Sequence, residues 1–245
     1  MRPNEKKRYH RNIILPNFGE KGQEKLRRAK VLIIGIGGLG SPAALYLAAN
    51  GVGTIGLVDN DSVDISNLQR QILHFSSDLK IKKVESAEQK LKNLNQNVTI
   101  KKYATTFDKK NASQIIEGYD FVLDCADNFE SKLLINKTCI KSQIPFSHAG
   151  ISEYKGQLIT ILPKKTACYK CAFPLDPPQN NNKAVLGVVP GVVGILQATE
   201  AIKYITNIGK LNTDKLLIYD SVSMDFRKVK VRKKETCAHC GTIKS

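Results

Sequence analysis

A short β-branched apolar run, VLII at residues 31–34, opens directly into GIGGLG, and nothing else restricts the fold of this 245-residue chain as tightly. Gly35, Gly37 and Gly40 stand in the spacing G-x-G-x-x-G. Glycine at those positions lets the backbone turn tightly out of a strand and approach a phosphate, whose charge is favoured by the N-terminus of the following helix. Pro42 suits the first turn of that helix, because its missing N–H would have no intrahelical partner there. A second apolar run, 54–58, ends in Asp59, where folds of this kind place a carboxylate on ribose hydroxyls. The pattern implies a nucleotide site at the carboxyl ends of parallel strands.

The rest of the chain alternates strand and helix patterns. A polar stretch with helical tendency, 20–28, lies within an N-terminal helical segment, 1–30. Ile81, Val84, Ala87, Leu91 and Leu94 recur at helical spacing, so 81–94 is expected to lay one face on the sheet. Strands are expected at 98–103 and 119–124, the latter ending in DCADN, then a helix over 130–141 and strands at 145–149 and 157–162. FPLDPPQNNNK, 173–183, is too rich in Pro and Asn for regular structure, and 172–190 is read as a flexible crossover loop. A glycine-punctuated helix follows at 190–205, then strands at 215–219 and 226–231. The expected fold class is α/β, a Rossmann-like, mainly parallel sheet flanked by helices with C-terminal antiparallel strands, in a single domain over 1–245. Asp59 and Asp127 both fall at strand ends and are expected to face one crevice.

The 38 basic and 22 acidic residues leave a formal charge of +16, which favours anionic partners. Lysines are spread through the whole chain and no basic block is interleaved with aromatics, so a solvated surface is preferred over a nucleic-acid face. RKVKVRKK, 227–234, reads as an amphipathic strand. No apolar run approaches the length of a membrane span, and the basic N-terminus lacks the apolar core of a signal peptide, so the cytoplasm is the expected location.

Four of the six cysteines form two pairs, Cys168–Cys171 and Cys237–Cys240, each C-x-x-C. One such pair is common in redox dithiols, and an accidental pair is also open. Two are better explained as four thiolates around one tetrahedral, structural Zn²⁺. His239 is then a spacer. Cys125 and Cys139 read as small core hydrophobes.

Taken in order, RYHRNIIL (8–15), GIGGLG, DNDSVDISNLQRQ, KKVESA (82–87), DCADN and the paired knuckles resemble the bacterial ubiquitin-activating-enzyme-like adenylyltransferases of the MoeB, ThiF and HesA type, over essentially the full length. The resemblance implies ATP- and Mg²⁺-dependent adenylation of the C-terminal glycine of a small ubiquitin-like sulfur carrier ending in Gly-Gly, with a separate sulfurtransferase or desulfurase as sulfur donor. It assigns catalytic roles to Arg70, Lys83, Asp127 and Arg11. Arg70 and Lys83 would neutralise developing phosphate charge, and Asp127 is a hard oxygen ligand for Mg²⁺. Arg11 would reach into a neighbouring subunit's site, which implies a homodimer. Nucleotide contacts are carried over to Gly35, Gly37, Gly38, Gly40, Asp59, Asp61, Ser66, Asn67, Leu68, Gln69, Arg70, Lys83, Asp127 and Asn128. Taken singly, each has a plainer reading. Lys83 sits off the expected buried face and would be solvated, Arg70 would be a surface ion-pair partner, and Asp127 with Asn128 would cap a helix.

Some members carry a reactive cysteine in the loop between the first knuckle and the last long helix; this chain has none from Ala172 to Pro190. Adenylation without a thioester on that loop is therefore expected, and no appended sulfurtransferase domain after Cys240. Two competitors remain at this stage. An NAD-dependent oxidoreductase fits the glycines and Asp59 but leaves Arg70, Lys83 and Asp127 idle; a non-catalytic binding scaffold explains only the charge.

Overall fold

The chain enters through three helices, α1 (Pro3–Arg8), α2 (His10–Ile13) and α3 (Gly19–Arg28), in a computed structural model that describes residues 1–174 and 184–241. Strand β1 (Lys30–Ile34), helix α4 (Gly40–Ala49) and strand β2 (Thr54–Val58) follow. Then come α5 (Lys83–Leu94), β3 (Thr99–Tyr103), α6 (Ala112–Ile116), β4 (Phe121–Asp124) and α7 (Phe129–Ser142). A hairpin of β5 (Phe146–Ser152) and β6 (Lys155–Ile161) leads to the single-turn α8 (Tyr169–Ala172). The last elements are α9 (Val188–Thr206), β7 (Lys215–Asp220) and β8 (Asp225–Lys230). Most of the expected crossover loop, 175–183, lies outside the described residues.

Among the described residues eight strands form one sheet in the order β3-β2-β1-β4-β5-β6-β7-β8. The four pairings from β3 to β5 are parallel and the three from β5 to β8 antiparallel. Chain order runs outward from β1 to β3 on one side and resumes with β4 on the other. The loops leaving β1 and β4 therefore diverge, and a crevice opens at that switch point.

Alternate residues of β1 enter two different cores. Val31 and Ile33 pack with α3, α4, α5 and α9 on one face, while Leu32 and Ile34 pack with α6, α7 and the cysteine knuckles on the other. A strand covered on both faces needs apolar residues at every position, which is why 31–34 is unbroken rather than alternating. Helix α9 is long and apolar enough to cross a membrane by length and composition, with mean hydropathy 1.2, which corrects the expectation that no segment approaches a span. In this fold it is a core helix, its Val189, Val193, Ala198 and Ala201 buried in the first core. Its buried Glu200 accepts from the Thr160 hydroxyl at 2.6 Å and from the Asn212 N–H at 2.7 Å.

Two local expectations need correcting. Strand β8 is at the sheet edge and is exposed along its whole length, so it is not amphipathic: Val229 stays uncovered, and only Val231, past its end, packs on the second core. Helix α5 begins at Lys83, and its first turn is covered by the segment after β2, since the Lys83 N–H donates to the Asp61 carbonyl at 3.0 Å. Lys83 is thereby buried together with Val84, Ala87 and Leu91, whereas Ile81 and Leu94 at the helix ends remain partly exposed.

Candidate functional site

The crevice holds a cavity of about 1140 Å³ lined by both diverging loops. Gly35 leaves β1 with φ +95°, and a Cβ there would stand 2.6 Å from the Cys125 carbonyl at the end of β4. A Cβ on Gly40 would come 2.1 Å from the Gly35 oxygen. The loop is thus closed on itself as well as on its neighbour, and α4 starts directly behind it with its N-terminus towards the cavity.

Asp59 is fixed by that loop. The Ile36 N–H donates to its Oδ2 at 2.8 Å and the Asp61 N–H to its Oδ1 at 2.9 Å. A buried chain of polar groups supports the loop from behind: His74 Nε2 lies 3.0 Å from the Ile36 carbonyl and Nδ1 2.8 Å from Ser86 Oγ, while Asp78 accepts from the Phe75 N–H and from Lys90. Burial, with the Lys83 and Lys90 charges adding to it, holds His74 below the ordinary histidine range. The imidazole is therefore neutral, and its Nε2–H donates to the loop.

The segment after Asp59 makes a tight turn. Asp64 accepts from the Ser66 N–H and hydroxyl, and the Asn67 side chain accepts from the Asp64 N–H. Ser66, Asn67, Leu68 and Gln69 shape this turn and do not line the cavity. Gln69 instead packs at Gly187, where a Cβ would approach its Oε1 to 2.6 Å. The turn delivers Arg70, whose Nη1 donates to the Ser66 carbonyl at 2.9 Å and whose stem crosses Gly38. Lys83 reaches in from α5 with Nζ 2.8 Å from Asp61 Oδ2. Asp127 stands exposed at the opposite wall, on the loop after β4.

The fold therefore gathers Gly35, Gly37, Gly38, Asp59, Asp61, Arg70, Lys83 and Asp127 on one cavity. Gly40 acts behind it. Asn128 caps α7, accepting from the Ser131 N–H at 2.8 Å, and does not line it. Arg11 is exposed on α2 and does not line its own chain's cavity.

Among the lining residues not anticipated from sequence, four carry polar groups next to the loops or strand ends of the crevice: Gln71, Lys132, His148 and Lys155. Gln71 is buried beside Gly37, with its Oε1 unpartnered among the described residues. Lys132 donates to the Ala149 carbonyl at 2.6 Å and lies 3.5 Å from the buried Asp124. His148 Nδ1 is 2.7 Å from Asp124 Oδ2, and Lys155 stands farther out on β6. The Gln71 signal was available, since it closes the quoted ISNLQRQ; a lone His or Lys inside a strand or helix carries none. Burial opposes the charge on Asp124, but Lys132 and the His148 hydrogen bond hold its carboxyl below the usual range. Burial, aided by Lys132, also holds His148 low, so the pair is a carboxylate accepting from a neutral imidazole.

The four knuckle sulfurs meet below α8. Sγ–Sγ distances are 3.9 Å for Cys168–Cys171, 3.6 Å for Cys168–Cys237 and 3.5 Å for Cys171–Cys240, and all four lie within 4.8 Å of one another. Tetrahedral Zn–S bonds of about 2.3 Å set sulfurs about 3.8 Å apart, so the set fits zinc. Burial pushes the Cys168 thiol up and that of Cys240 to about 12, a penalty that a bound divalent cation removes. His239 turns away to Asn136, at 2.6 Å. Helix α8 carries Cys171, with Cys168 at its N-cap, and presents Tyr169 and Ala172 to the cavity. Cys125 and Cys139 are buried, and burial raises both thiols well above their ordinary range.

The sequence matches the ThiF family over residues 9–240. It is 41% identical over 239 residues to the adenylyltransferase and sulfurtransferase MOCS3 of Xenopus laevis, covering 95% of this chain and 53% of that protein. It is 39% identical over 244 residues to the sulfur carrier protein adenylyltransferase of Thermus thermophilus, covering 96% of this chain and 90% of that protein. The chain thus spans about half the length of the MOCS3 relatives. Its fold matches the crystal structure of E. coli MccB with MccA-N7isoASN at TM-score 0.87 and 26% identity, over 97% of this chain and 75% of that one.

Proposed function

The chain belongs to the ThiF family, and from that premise we propose that it is a cytoplasmic adenylyltransferase that activates the C-terminal glycine of a small ubiquitin-like sulfur carrier. The observation that carries this reading is the convergence of the glycine loop, Asp59, Arg70, Lys83 and Asp127 on one cavity. A dehydrogenase would use the first two alone.

ATP lies with its ribose at Asp59 and its phosphates between the glycine loop and Arg70, Lys83 and Asp127. The carrier carboxylate attacks the α-phosphorus. One oxygen–phosphorus bond forms, and the bond to the bridging oxygen breaks, its electron pair leaving with pyrophosphate. No proton moves in this step, so the chain needs cations rather than a general base. Arg70 and Lys83 supply them, neutralising phosphate charge that would otherwise repel the incoming carboxylate. Asp127, a hard and exposed oxygen donor, would hold Mg²⁺, which when bound supplies further neutralisation of phosphate charge. Arg11, exposed and not lining its own chain's cavity, would serve the site of a second copy in a homodimer. A separate sulfurtransferase or desulfurase then supplies sulfur to the acyl-adenylate.

Support for the substrate class comes from the named activities of the MOCS3 and Thermus thermophilus relatives. ATP–pyrophosphate exchange tests the reading. Exchange should require Mg²⁺ and a carrier ending in Gly-Gly. Tight binding of a nicotinamide dinucleotide with no exchange would replace this reading by an oxidoreductase.

A further inference from the structure

His148 Nε2 is buried and has no hydrogen-bond partner among the described residues, although the ring lines the cavity. Its other nitrogen is committed, because Nδ1 lies 2.7 Å from the ionised Asp124. That contact places the proton on Nδ1 and leaves a lone pair on Nε2, so the free nitrogen is an acceptor. A buried acceptor without a donor is costly, and a cavity-lining one can recover its partner from a ligand.

Position decides which ligand. Asp59 follows β2 and His148 lies on β5, with β1 and β4 between them. At about 4.8 Å per strand the two are roughly 14 Å apart across the sheet. A nucleotide anchored at Asp59 with its phosphates at Asp127 lies over β2, β1 and β4, which leaves His148 to the second substrate. The cavity has room for both, since about 1140 Å³ exceeds the ~300–1,000 Å³ of a small-molecule pocket.

The lobe around His148 is aromatic. Its ring packs edge-on to Tyr169, centroids 4.4 Å apart, and to Phe173 at 5.8 Å, with Phe129 and Lys132 beside them. A chain end with no side chains suits such walls, and a diglycine offers only backbone N–H groups as donors.

Resting on the activation reading above, we propose that His148 reads the carrier terminus: Nε2 accepts a hydrogen bond from the peptide N–H that joins its two terminal glycines. Asp124 sets the tautomer, and α8, held by the knuckles, sets the aromatic wall.

The test compares a Gly-Gly carrier with a semisynthetic one in which that peptide N–H is replaced by an ester oxygen. Each is assayed by pyrophosphate exchange with the wild-type protein and with His148→Asn. The asparagine amide nitrogen superposes on Nδ1 and keeps a donor for Asp124 while deleting the acceptor. With wild-type protein the ester should raise the carrier KM about tenfold and leave the ATP KM unmoved. His148→Asn should raise the amide carrier's KM similarly and be insensitive to the ester, so the two losses do not add. An ester effect of equal size in both proteins, an unchanged carrier KM with either alteration, or a shift in the ATP KM instead, would overturn the assignment while leaving activation intact. Absence of exchange with the wild-type protein and the amide carrier would remove both. The ester carrier needs no variant, so the question stands even if His148→Asn fails to fold.

Discussion

Lys83 and Asp61 are joined twice, backbone N–H to carbonyl at 3.0 Å and Nζ to carboxylate at 2.8 Å. The lysine is buried while the side chain of Asp61 is largely exposed, so the ammonium is held in the cavity by a partner that can move away. A triphosphate arriving beside the glycine loop offers more negative charge than one solvated carboxylate, and Lys83 can transfer to it.

Lys83→Ala and Arg70→Ala should each lower kcat/KM for pyrophosphate exchange by at least about 100-fold, the usual cost of deleting one charge-stabilising group. Neither should shift the thermal midpoint by more than a few degrees. Among the described residues the Arg70 side chain makes one hydrogen bond, to the Ser66 carbonyl, and loss of Lys83 leaves the exposed Asp61 carboxylate without its ion-pair partner. Near-normal exchange by Arg70→Ala would remove it from the chemistry.

Gly40→Ala places a methyl group 2.1 Å from the Gly35 carbonyl, a backbone atom that cannot rotate away. The loop must shift off Cys125 or α4 must move. A destabilisation of about 1–3 kcal/mol is expected by urea denaturation, with a weaker ATP KM as the phosphate cradle opens. At exposed Gly118, where nothing lies within 4 Å of a Cβ, the same change acts only through its positive φ and should leave the ATP KM unaltered.

Stability should fall on mild acidification. His74 and His148 are held below the ordinary value of 6.5, in both cases chiefly by burial. The unfolded chain therefore binds protons that the folded one refuses, so unfolding becomes easier as pH drops below about 6.5, and the contribution is lost as pH falls through the folded values. Asp124, held below 3.8, adds a further loss at lower pH. Urea midpoints at pH 7.5 and 5.5 check the sign; His148→Asn should flatten the difference.

Metal removal should reach the second substrate before it reaches ATP. The four sulfurs hold α8, and α8 supplies Tyr169 and Ala172 to the cavity wall opposite the Asp59 end. Stripping one zinc per chain with a chelator should speed hydrogen exchange in 167–173 and 232–240 and raise the carrier KM. The ATP KM should change little.

The sheet and its crevice were legible because each element carries its own signal. Residues 31–34 are apolar at every position, as a strand buried on both faces requires, and Gly35 and Gly40 are where backbone meets backbone. The cysteine pairs announced their own cluster. Lys83 was misjudged because helical spacing from Ile81 ignores what covers the first turn; only the tertiary contact with Asp61 buries it. Ser66, Asn67, Leu68 and Gln69 are carried over as contacts with the family resemblance; here they form the tight turn that delivers Arg70 and do not line the cavity. Asp124, Lys132 and His148 come from β4, α7 and β5, and no linear spacing reveals a triad assembled across a sheet.

Intact mass of the carrier tests the central claim most directly. Incubation with this protein, ATP, Mg²⁺ and pyrophosphatase should add one AMP to a carrier ending in Gly-Gly, in an adduct labile to hydroxylamine, and should add nothing when Arg70→Ala replaces the wild-type protein or the last glycine is absent. An unmodified carrier under these conditions, or an AMP adduct that forms without the terminal glycine, would contradict it.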